Sequence, residues 1–468
     1  SLIEIDSERS RIRAALVNSG RFSFQEAEQS LAASRLTIVL AEDVATSPAG
    51  QVAFLTAVVT AARCFGEVTV SGALGYPLAV PLLIGANTLK AAALQLGAKD
   101  INASSLRQVH IGPSTDAADS AWIVQAYWDG WIAGVTPGHE PKKIGRGDCP
   151  LAGVAAGALA IGQAFLAEQG DLRAGRSSQQ LSLWAPHDQA VGFDGRGPEL
   201  KDCFFPLELW LVGLGNLGQA YLWSLSTLPY SNPESVMLFF QDDDVVQREN
   251  WGTSILVKRG RYGVLKTRIA EEWALARSFN ARRIDRRLDE FLRRTDREPA
   301  ITLAGLDRMP PRRLLGLPGF EYVVDAGLGT SVDDYRKFRV NVFDSTRTPA
   351  EHFKQVEDRN PQSVDQLMAL PAYKALVEAG VSDQCGAAML AEQSVAVPFV
   401  SALSGAIVLA QCIRIASGLA PHSTITGDMG DLRSIRAMPG EKIRRICFPI
   451  ERPRELLLED RACGLGPL

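Results

Sequence analysis

Residues 209–219 of the 468-residue chain read LWLVGLGNLGQ, an apolar strand followed by a glycine-rich turn and the start of a helix. Gly213, Gly215 and Gly218 form the pattern G-x-G-x-x-G, in which glycines permit a tight turn and the helix N-terminus offers unpaired N–H groups to an anion. Dinucleotide enzymes, flavoproteins and adenylating enzymes share this pattern. It therefore predicts a phosphate-binding loop without selecting the ligand.

Two parts of the chain resemble each other, which indicates an internal duplication. Each half has an apolar strand (36–40 or 209–212), a turn, a helix that starts with Gly-Gln, and a second strand (68–70 or 236–240). This alternation predicts the α/β class, with two tandem Rossmann-like domains that each contain a doubly wound parallel sheet. Further downstream, four pairs of residues match: Pro150 and Pro398, Gly157 and Gly405, Gln163 and Gln411, and Gly170 and Gly418.

The boundary between the halves is predicted between Gly192 and Pro206, a stretch rich in glycine, proline and charge, so the domains are assigned to residues 1–195 and 196–468. The loops after the first strands differ. In the first half, residues 41–50 read AEDVATSPAG, so acidic side chains stand where the second half has glycines. These acidic side chains would block the close approach of a polyphosphate. The first domain is therefore predicted to be degenerate and inactive, and the second domain to be active.

Further polar residues follow the glycine loop. The second strand ends in Asp242, Asp243 and Asp244, Asn250 lies six residues after Asp244, and Lys266 begins a later helix. A dehydrogenase needs one acid for the ribose hydroxyls, which is fewer than this set offers. A lysine in a first helical turn opposes the helix dipole, so it is either solvated or faces a bound anion.

In this order and spacing, the glycine loop, D-x-D, the asparagine and G-x-x-K resemble the ThiF/MoeB and ubiquitin-activating superfamily, and the fold is then of the ThiF type. The resemblance implies ATP and Mg²⁺ as cofactors. It places Asp242 near the adenylate chemistry, Asp244 on the ribose, Asn250 and Lys266 on phosphates, and Asp307, after the strand 300–306, on the metal. Asp307 alone could equally be a helix N-cap.

One position departs from the family, which usually has arginine three residues after the asparagine. This sequence has Thr253 there. Arg248, or Arg11 or Arg13 of the first half, are the candidates to supply the missing cation.

Cys385 is the predicted nucleophile. It precedes the long apolar run 395–413, and the amides of a helix N-terminus stabilise a thiolate. It also ends a polar connection that resembles the crossover of ubiquitin-activating enzymes, which assigns a crossover and catalytic-cysteine segment to about 344–390 and a C-terminal extension to about 420–468. Apolar surroundings predict inert burial for four other cysteines: Cys64, Cys203, Cys412 and Cys447.

The composition argues against several classes of partner and cofactor. The net charge is only −4 with mixed signs, which argues against nucleic acid or a membrane surface as the partner. The run 395–413 carries Pro398 and Gln411 and is predicted to be a buried helix. No C-x-x-C pair occurs, so no structural zinc is expected, and residues 1–16 lack the apolar core of a secretory signal, so a cytoplasmic location is expected.

The combined hypothesis is ATP-dependent activation of a ubiquitin-like protein: adenylation of its C-terminal glycine, thioester formation on Cys385 and transfer to a conjugating enzyme. The zinc-free, two-half layout resembles the activating enzymes of bacterial antiphage, Bil-type, ubiquitin-like conjugation operons. Three alternatives stay open: an adenylyltransferase for a sulfur carrier or small molecule without a thioester, an NAD-dependent dehydrogenase, and a non-enzymatic scaffold. Either a monomer or a homodimer is compatible with the duplicated halves.

Overall fold

The first half forms an α/β domain around a six-stranded sheet. The computed structural model describes residues 7–17, 22–80, 82–83, 85–99, 105–113, 122–145, 147–187, 193–329, 334–354, 374, 378, 395–443 and 448–453. The elements of the first half are β1 (Arg35–Leu40), β2 (Glu67–Gly72), β3 (Arg107–Ile111), β4 (Trp122–Asp129), β5 (Ile132–Pro137) and β6 (Gln179–Ser182), with α1 (Ser10–Val17), α2 (Phe24–Ala33), α3 (Pro48–Cys64), α4 (Leu89–Gln95) and α5 (Pro150–Glu168).

The second half is built around an eight-stranded sheet. The strands of this half are β7 (Phe205–Pro206), β8 (Glu208–Val212), β9 (Met237–Gln241), β10 (Asn280–Ile284), β11 (Ile301–Ala304), β12 (Tyr322–Leu328), β13 (Lys337–Phe343), β14 (His422–Asp428), β15 (Asp431–Pro439) and β16 (Ile450–Glu451). Strands β7 and β16 form a separate pair. Its helices are α6 (Asn216–Leu225), α7 (Lys266–Leu275), α8 (Met309–Leu314), α9 (Pro349–His352) and α10 (Pro398–Ala416).

The strand order is repeated between the halves. The first sheet runs β2-β1-β3-β4-β5-β6, and the second runs β10-β9-β8-β11-β12-β13-β14-β15. The order β9-β8-β11-β12-β13-β14 therefore repeats the first sheet, and β10 and β15 are added at the edges. In both sheets the strands are parallel up to β4 or β12 and antiparallel after it. The sheets are therefore mixed rather than wholly parallel as predicted.

The change of direction has a local cause. Only Gly130 and Trp131 separate β4 from β5, and Gly130 has a left-handed φ of +60°. A parallel partner needs a crossover of a dozen or more residues, so a connection this short can join only antiparallel strands. The connection from β12 to β13 is also shorter than a crossover.

The repeated residues have matching structural roles in α5 and α10. Both helices are 19 residues long and start at their prolines. A Cβ on Gly157 would overlap the carbonyl oxygen of Ala53 in α3, and one on Gly405 would overlap that of Ala220 in α6, so each glycine lets two helices approach closely. These equivalences support the predicted duplication.

Matching glutamine side chains also bind the segments that follow these two helices. Gln163 Oε1 accepts a hydrogen bond from the Gly175 N–H, and Gln411 Oε1 accepts one from the His422 N–H, each at 2.8 Å. Gly170 and Gly418 take left-handed φ values of +82° and +73° just after their helices. Helix C-termini commonly end on such a glycine.

The two halves share one hydrophobic core, in which α3, α5, α6 and α10 pack against one another between the sheets. Trp223 of α6 donates an indole hydrogen bond to Thr56 Oγ1 of α3 at 3.0 Å. By length and composition α5 and α10 could each span a membrane, but 94% of the most apolar window of each is buried inside the protein. This burial is that of core helices, as predicted for 395–413.

Candidate functional site

The glycine loop lies at the carboxyl end of β8 and packs on the loop after β11. Gly213 has φ +82°, and its N–H donates to the Gln241 carbonyl at 2.9 Å. A Cβ on Gly213 would lie 2.9 Å from the Gly305 oxygen, and a Cβ on Gly305 would lie 2.8 Å from the Gly218 nitrogen. Sequence reasoning missed Gly305, although its place two residues before Asp307 was a usable signal.

The N-terminus of α6 is open. Its N-cap is Gly215, and no described side chain caps this end. A Cβ built on Gly215 would meet no described atom within 4 Å. An uncapped helix N-terminus with space in front of it is suited to an anion.

Asp242 connects two loops of the site. One carboxylate oxygen accepts the Leu214 N–H at 2.6 Å and the other accepts the Asp244 N–H at 2.8 Å. Burial raises the pKa of Asp242, while the nearby Lys266 charge and these two hydrogen bonds act to lower it. Asp242 thus fixes the shape of the glycine loop relative to the acidic loop.

Lys266 is not a solvated surface cation. Its side chain is only 11% exposed, and its ammonium group lies 2.7 Å from a carboxylate oxygen of Asp244, which is 56% exposed. The Lys266 N–H also donates to the Asp244 carbonyl at 3.0 Å. The anion that Lys266 faces in this structure is therefore Asp244. The residue predicted to bind ribose, Asp244, and one predicted to bind phosphate, Lys266, are thus direct neighbours.

Asp307 lies where a metal ligand at this edge of the sheet is expected, just after β11. It is exposed, and it has no hydrogen-bond or ion-pair partner in the part of the chain that the structure describes. The N-cap of α8 is Arg308, so the N-cap alternative for Asp307 is wrong. An unpaired carboxylate is a hard oxygen donor of the kind that Mg²⁺ prefers.

Asn250 and Thr253 belong to one tight turn after Asp244. Asn250 is 8% exposed, its side-chain oxygen accepts the Gln247 N–H at 2.8 Å, and its carbonyl accepts the Thr253 N–H at 3.2 Å. Thr253 is 1% exposed, and its hydroxyl is buried without a described partner. A threonine therefore fills the family's arginine position as a buried turn residue.

The candidate arginines have different surroundings. Arg13 is buried and paired with Glu28 inside the first half, which argues against it as a nucleotide ligand. Arg248 is exposed and stacks over the Tyr262 ring at 5.3 Å. Sequence reasoning missed three other arginines, which surround Trp251 with guanidinium carbons 5.5, 5.4 and 3.9 Å from the ring centroid: Arg9, Arg63 and Arg259.

A chain of hydrogen bonds links the first half to the glycine loop. Arg63, at the end of α3, donates to the carbonyls of Ile255 and Val257 at 2.9 and 3.1 Å. Between these residues, the Leu256 N–H donates to Gln219 Oε1 at 2.9 Å, and Gln219 Nε2 donates to the Leu214 carbonyl at 3.1 Å. Burial lowers the pKa of Arg63 to about 10, so the group stays charged at neutral pH.

We expect Arg63→Leu to lower the free energy of unfolding by about 3 kcal/mol, because the charged donor loses its hydrogen bonds to the Ile255 and Val257 carbonyls and a third one to the Val59 carbonyl. Urea denaturation followed by tryptophan fluorescence measures this loss. Arg63→Lys keeps the charge but not the forked donor, so its free energy of unfolding should lie between those of Arg63→Leu and the wild-type chain. Equal stability of Arg63→Leu and the wild-type chain would contradict the role of this contact.

The matching helix terminus in the first half is already occupied by a carboxylate. Asp148 accepts hydrogen bonds from the Ala49 N–H at 2.8 Å and the Ser47 hydroxyl at 3.0 Å, at the start of α3. Ser47 is the N-cap of α3 and Gly215 that of α6, so the two ends correspond. The matched Pro150 and Pro398 place Ala396 opposite Asp148, so the second half has no acid there.

The predicted nucleophile Cys385, and most of the predicted crossover, lie outside the described residues. Of the cysteines predicted to be inert, Cys64, Cys203 and Cys412 are buried, and Cys447 lies outside the described residues. Cys149 is buried as well, and burial raises the pKa of its thiol and of Cys203 to about 12. Asp242, Asp243 and Asp244 are the one group of three acidic or metal-binding side chains close enough to share an ion among the described residues.

Comparison with known proteins identifies the family. Residues 35–183 match the BilD N-terminal domain and residues 205–419 the BilD C-terminal domain. The chain is 34% identical over 430 residues to the bacterial E1-like protein BilD of Collimonas sp. (strain OK412), covering 90% of this chain and 91% of that protein.

Solved structures of E. coli MccB resemble part of the chain. The MccB crystal structure has a TM-score of 0.34 at 13% identity, and the structure with ATP has 0.33 at 11% identity. Each comparison covers 52% of this chain, and the chain covers 64% and 66% of the two MccB chains. By its two matching domains and its full-length relative, the chain belongs to the BilD family of bacterial E1-like proteins.

Proposed function

We propose that the chain uses ATP and Mg²⁺ to adenylate the C-terminal glycine of a ubiquitin-like protein. The observation that carries this proposal is the open N-terminus of α6, with Asp242 and Lys266 beside it, in a chain of the E1-like family. This family favours adenylation over the NAD-dependent dehydrogenase. It does not by itself separate a ubiquitin-like protein from a sulfur carrier.

The contrast between the two helix termini supports an active second domain and a degenerate first domain. Asp148 places a carboxylate on the Ala49 N–H, at the position where a phosphate would otherwise bind. A second anion there would have to displace this carboxylate. We therefore assign nucleotide binding to residues 196–468 and not to residues 1–195.

The proposed reaction needs charge neutralised on the phosphates of ATP. The substrate carboxylate attacks the α-phosphorus, the bond to the bridging oxygen breaks, and pyrophosphate leaves. The N–H groups after Gly215 bind phosphate oxygens, and Lys266 exchanges Asp244 for a phosphate while Asp244 turns to the ribose. Mg²⁺ held by Asp307 would neutralise charge on the leaving pyrophosphate, and Asn250 and Arg248 would add donors.

After adenylation, the Cys385 thiolate would attack the acyl-adenylate, releasing AMP and forming a thioester for transfer to a conjugating enzyme. Residues of about 344–390 would carry this cysteine, and about 420–468 would form an added element. The cytoplasmic location, the role in phage defence and the choice of monomer or homodimer stay predictions.

The thioester step predicts a reductant-sensitive adduct. Small β-grasp proteins encoded beside the gene for this chain are incubated with it, ATP and Mg²⁺, and the products are separated with and without reductant. We expect Cys385→Ala to abolish the adduct and to leave ATP–pyrophosphate exchange within about twofold of the wild type, because adenylation precedes thiol attack.

Cys149→Ala is the matched control, since this buried cysteine precedes the equivalent helix of the first half. An adduct that survives Cys385→Ala would remove the thioester step. Exchange without any adduct in the wild-type chain would favour the sulfur-carrier or small-molecule alternative instead.

A further inference from the structure

A cavity of about 570 Å³ lies between the halves, away from the nucleotide loop. The first half contributes Tyr127 of β4, Lys142 after β5 and the segment between α5 and β6, and the second half contributes the turn of the β14–β15 hairpin. The Leu432 N–H donates to Gln179 Oε1 at 3.1 Å across this junction. The cavity therefore exists only where both domains meet.

The hairpin turn lies at the same edge of the sheet as the nucleotide loop. Strand β14 is antiparallel to β13, which is antiparallel to β12, so β14 ends at Asp428 at the carboxyl edge of β8 and β11. Four strand spacings separate β8 from β14, roughly 19 Å. An extended tail of about six residues spans that distance.

The cavity wall carries an excess of positive charge. Its cations are Lys142, Arg173, Arg176 and Arg433, and its carboxylates are Asp171 and Asp431. Arg173 pairs with Asp171 and Arg433 with Asp431. Lys142 and Arg176 have no carboxylate partner among the described residues, which leaves a surplus of two positive charges.

An apolar side chain stands beside these cations. Leu172 lines the cavity and is 85% exposed. A large exposed leucine next to uncompensated cations is more suited to a protein surface than to a small anion, because a protein offers apolar and acidic groups together.

We infer that this cavity is a docking site for an acidic surface of the protein substrate. The inference rests on the proposed function. The body of the substrate sits against Leu172, Lys142 and Arg176, and its C-terminal tail of about six residues crosses the strand ends to the glycine loop. The degenerate first domain thereby selects the substrate that the second domain adenylates.

The test compares a whole substrate with its own tail. ATP–pyrophosphate exchange is measured with the β-grasp protein that supports it and with a synthetic peptide of that protein's last ten residues. We expect Lys142→Glu/Arg176→Glu to raise the KM for the whole protein at least about tenfold and to leave the KM for the peptide unchanged. Leu172→Ser should raise the protein KM in the same selective way.

Arg297→Glu is the matched control, because this exposed arginine lies in the turn before β11 at the opposite edge of the sheet. Equal effects on protein and peptide, or no effect of the double substitution, overturn the docking site while leaving adenylation intact. If no β-grasp protein or peptide supports exchange with the wild-type chain, the proposed function fails, and this inference fails with it.

Discussion

Ala396→Asp strongly weakens ATP binding while leaving the protein folded; this is the result we expect from copying the arrangement of the first domain into the second. Ala396 occupies the position that corresponds to Asp148, whose carboxylate accepts the Ala49 N–H at the start of α3. An aspartate there would accept an N–H group at the start of α6 and repel the phosphates. We expect a loss of at least about 100-fold in ATP affinity, about 2.8 kcal/mol, by calorimetry.

The same substitution should not lower stability. An acid at a helix N-terminus typically stabilises a protein by about 0.5–2 kcal/mol, so the melting temperature of Ala396→Asp should stay equal or rise. Unfolding is thereby excluded as the reason for lost binding. Ala396→Asn has the same shape without the charge and should retain most of the affinity.

Unchanged ATP affinity in Ala396→Asp would contradict the proposed phosphate site. If Ala396→Asp binds ATP as tightly as the wild-type chain while Ala396→Asn also does, the α6 N-terminus is not the phosphate site. Asp148→Ala in the first domain should leave ATP affinity unchanged, because the nucleotide site lies in the other half.

The sequence predicted the features that depend on local pattern. The glycine loop, the acidic loop and the matching helices all lie in short segments with characteristic spacing, and the structure brings Asp242, Asp244 and Lys266 together as expected. The repeated strand order follows from the same alternation of strand and helix. Local spacing is enough to indicate these elements because each one is formed by neighbouring residues.

Features that depend on distant contacts were not predicted. Arg63 meets Ile255 and Val257 more than 190 positions along the chain, and Asp148 meets Ala49 about 100 positions away. No periodicity or motif in the sequence indicates contacts between residues so far apart. The antiparallel strands after β4 and β12 were missed for another reason, since they depend on short connections whose glycine could have been noticed.

The second large effect that we expect is the loss of adenylation in Lys266→Met. The ammonium group lies 2.7 Å from Asp244 beside the open N-terminus of α6, where charge develops as pyrophosphate leaves. Removing such a group typically costs about 100-fold to 1,000-fold in rate, so kcat for exchange should fall by that amount. Lys266→Arg keeps a cation and should lose much less.

The pH dependence of exchange tests the influence of the Lys266 charge on Asp242. Asp242 must be ionised for its two oxygens to accept the Leu214 and Asp244 N–H groups, and burial raises its pKa while the charge of Lys266 lowers it. Exchange should therefore decline as the pH falls through the raised pKa. Without the lysine charge that pKa rises further, so the acidic limb of the profile should shift to higher pH in Lys266→Met and stay in place in Lys266→Arg. An acidic limb that stays in place in Lys266→Met would contradict this influence of the Lys266 charge on Asp242.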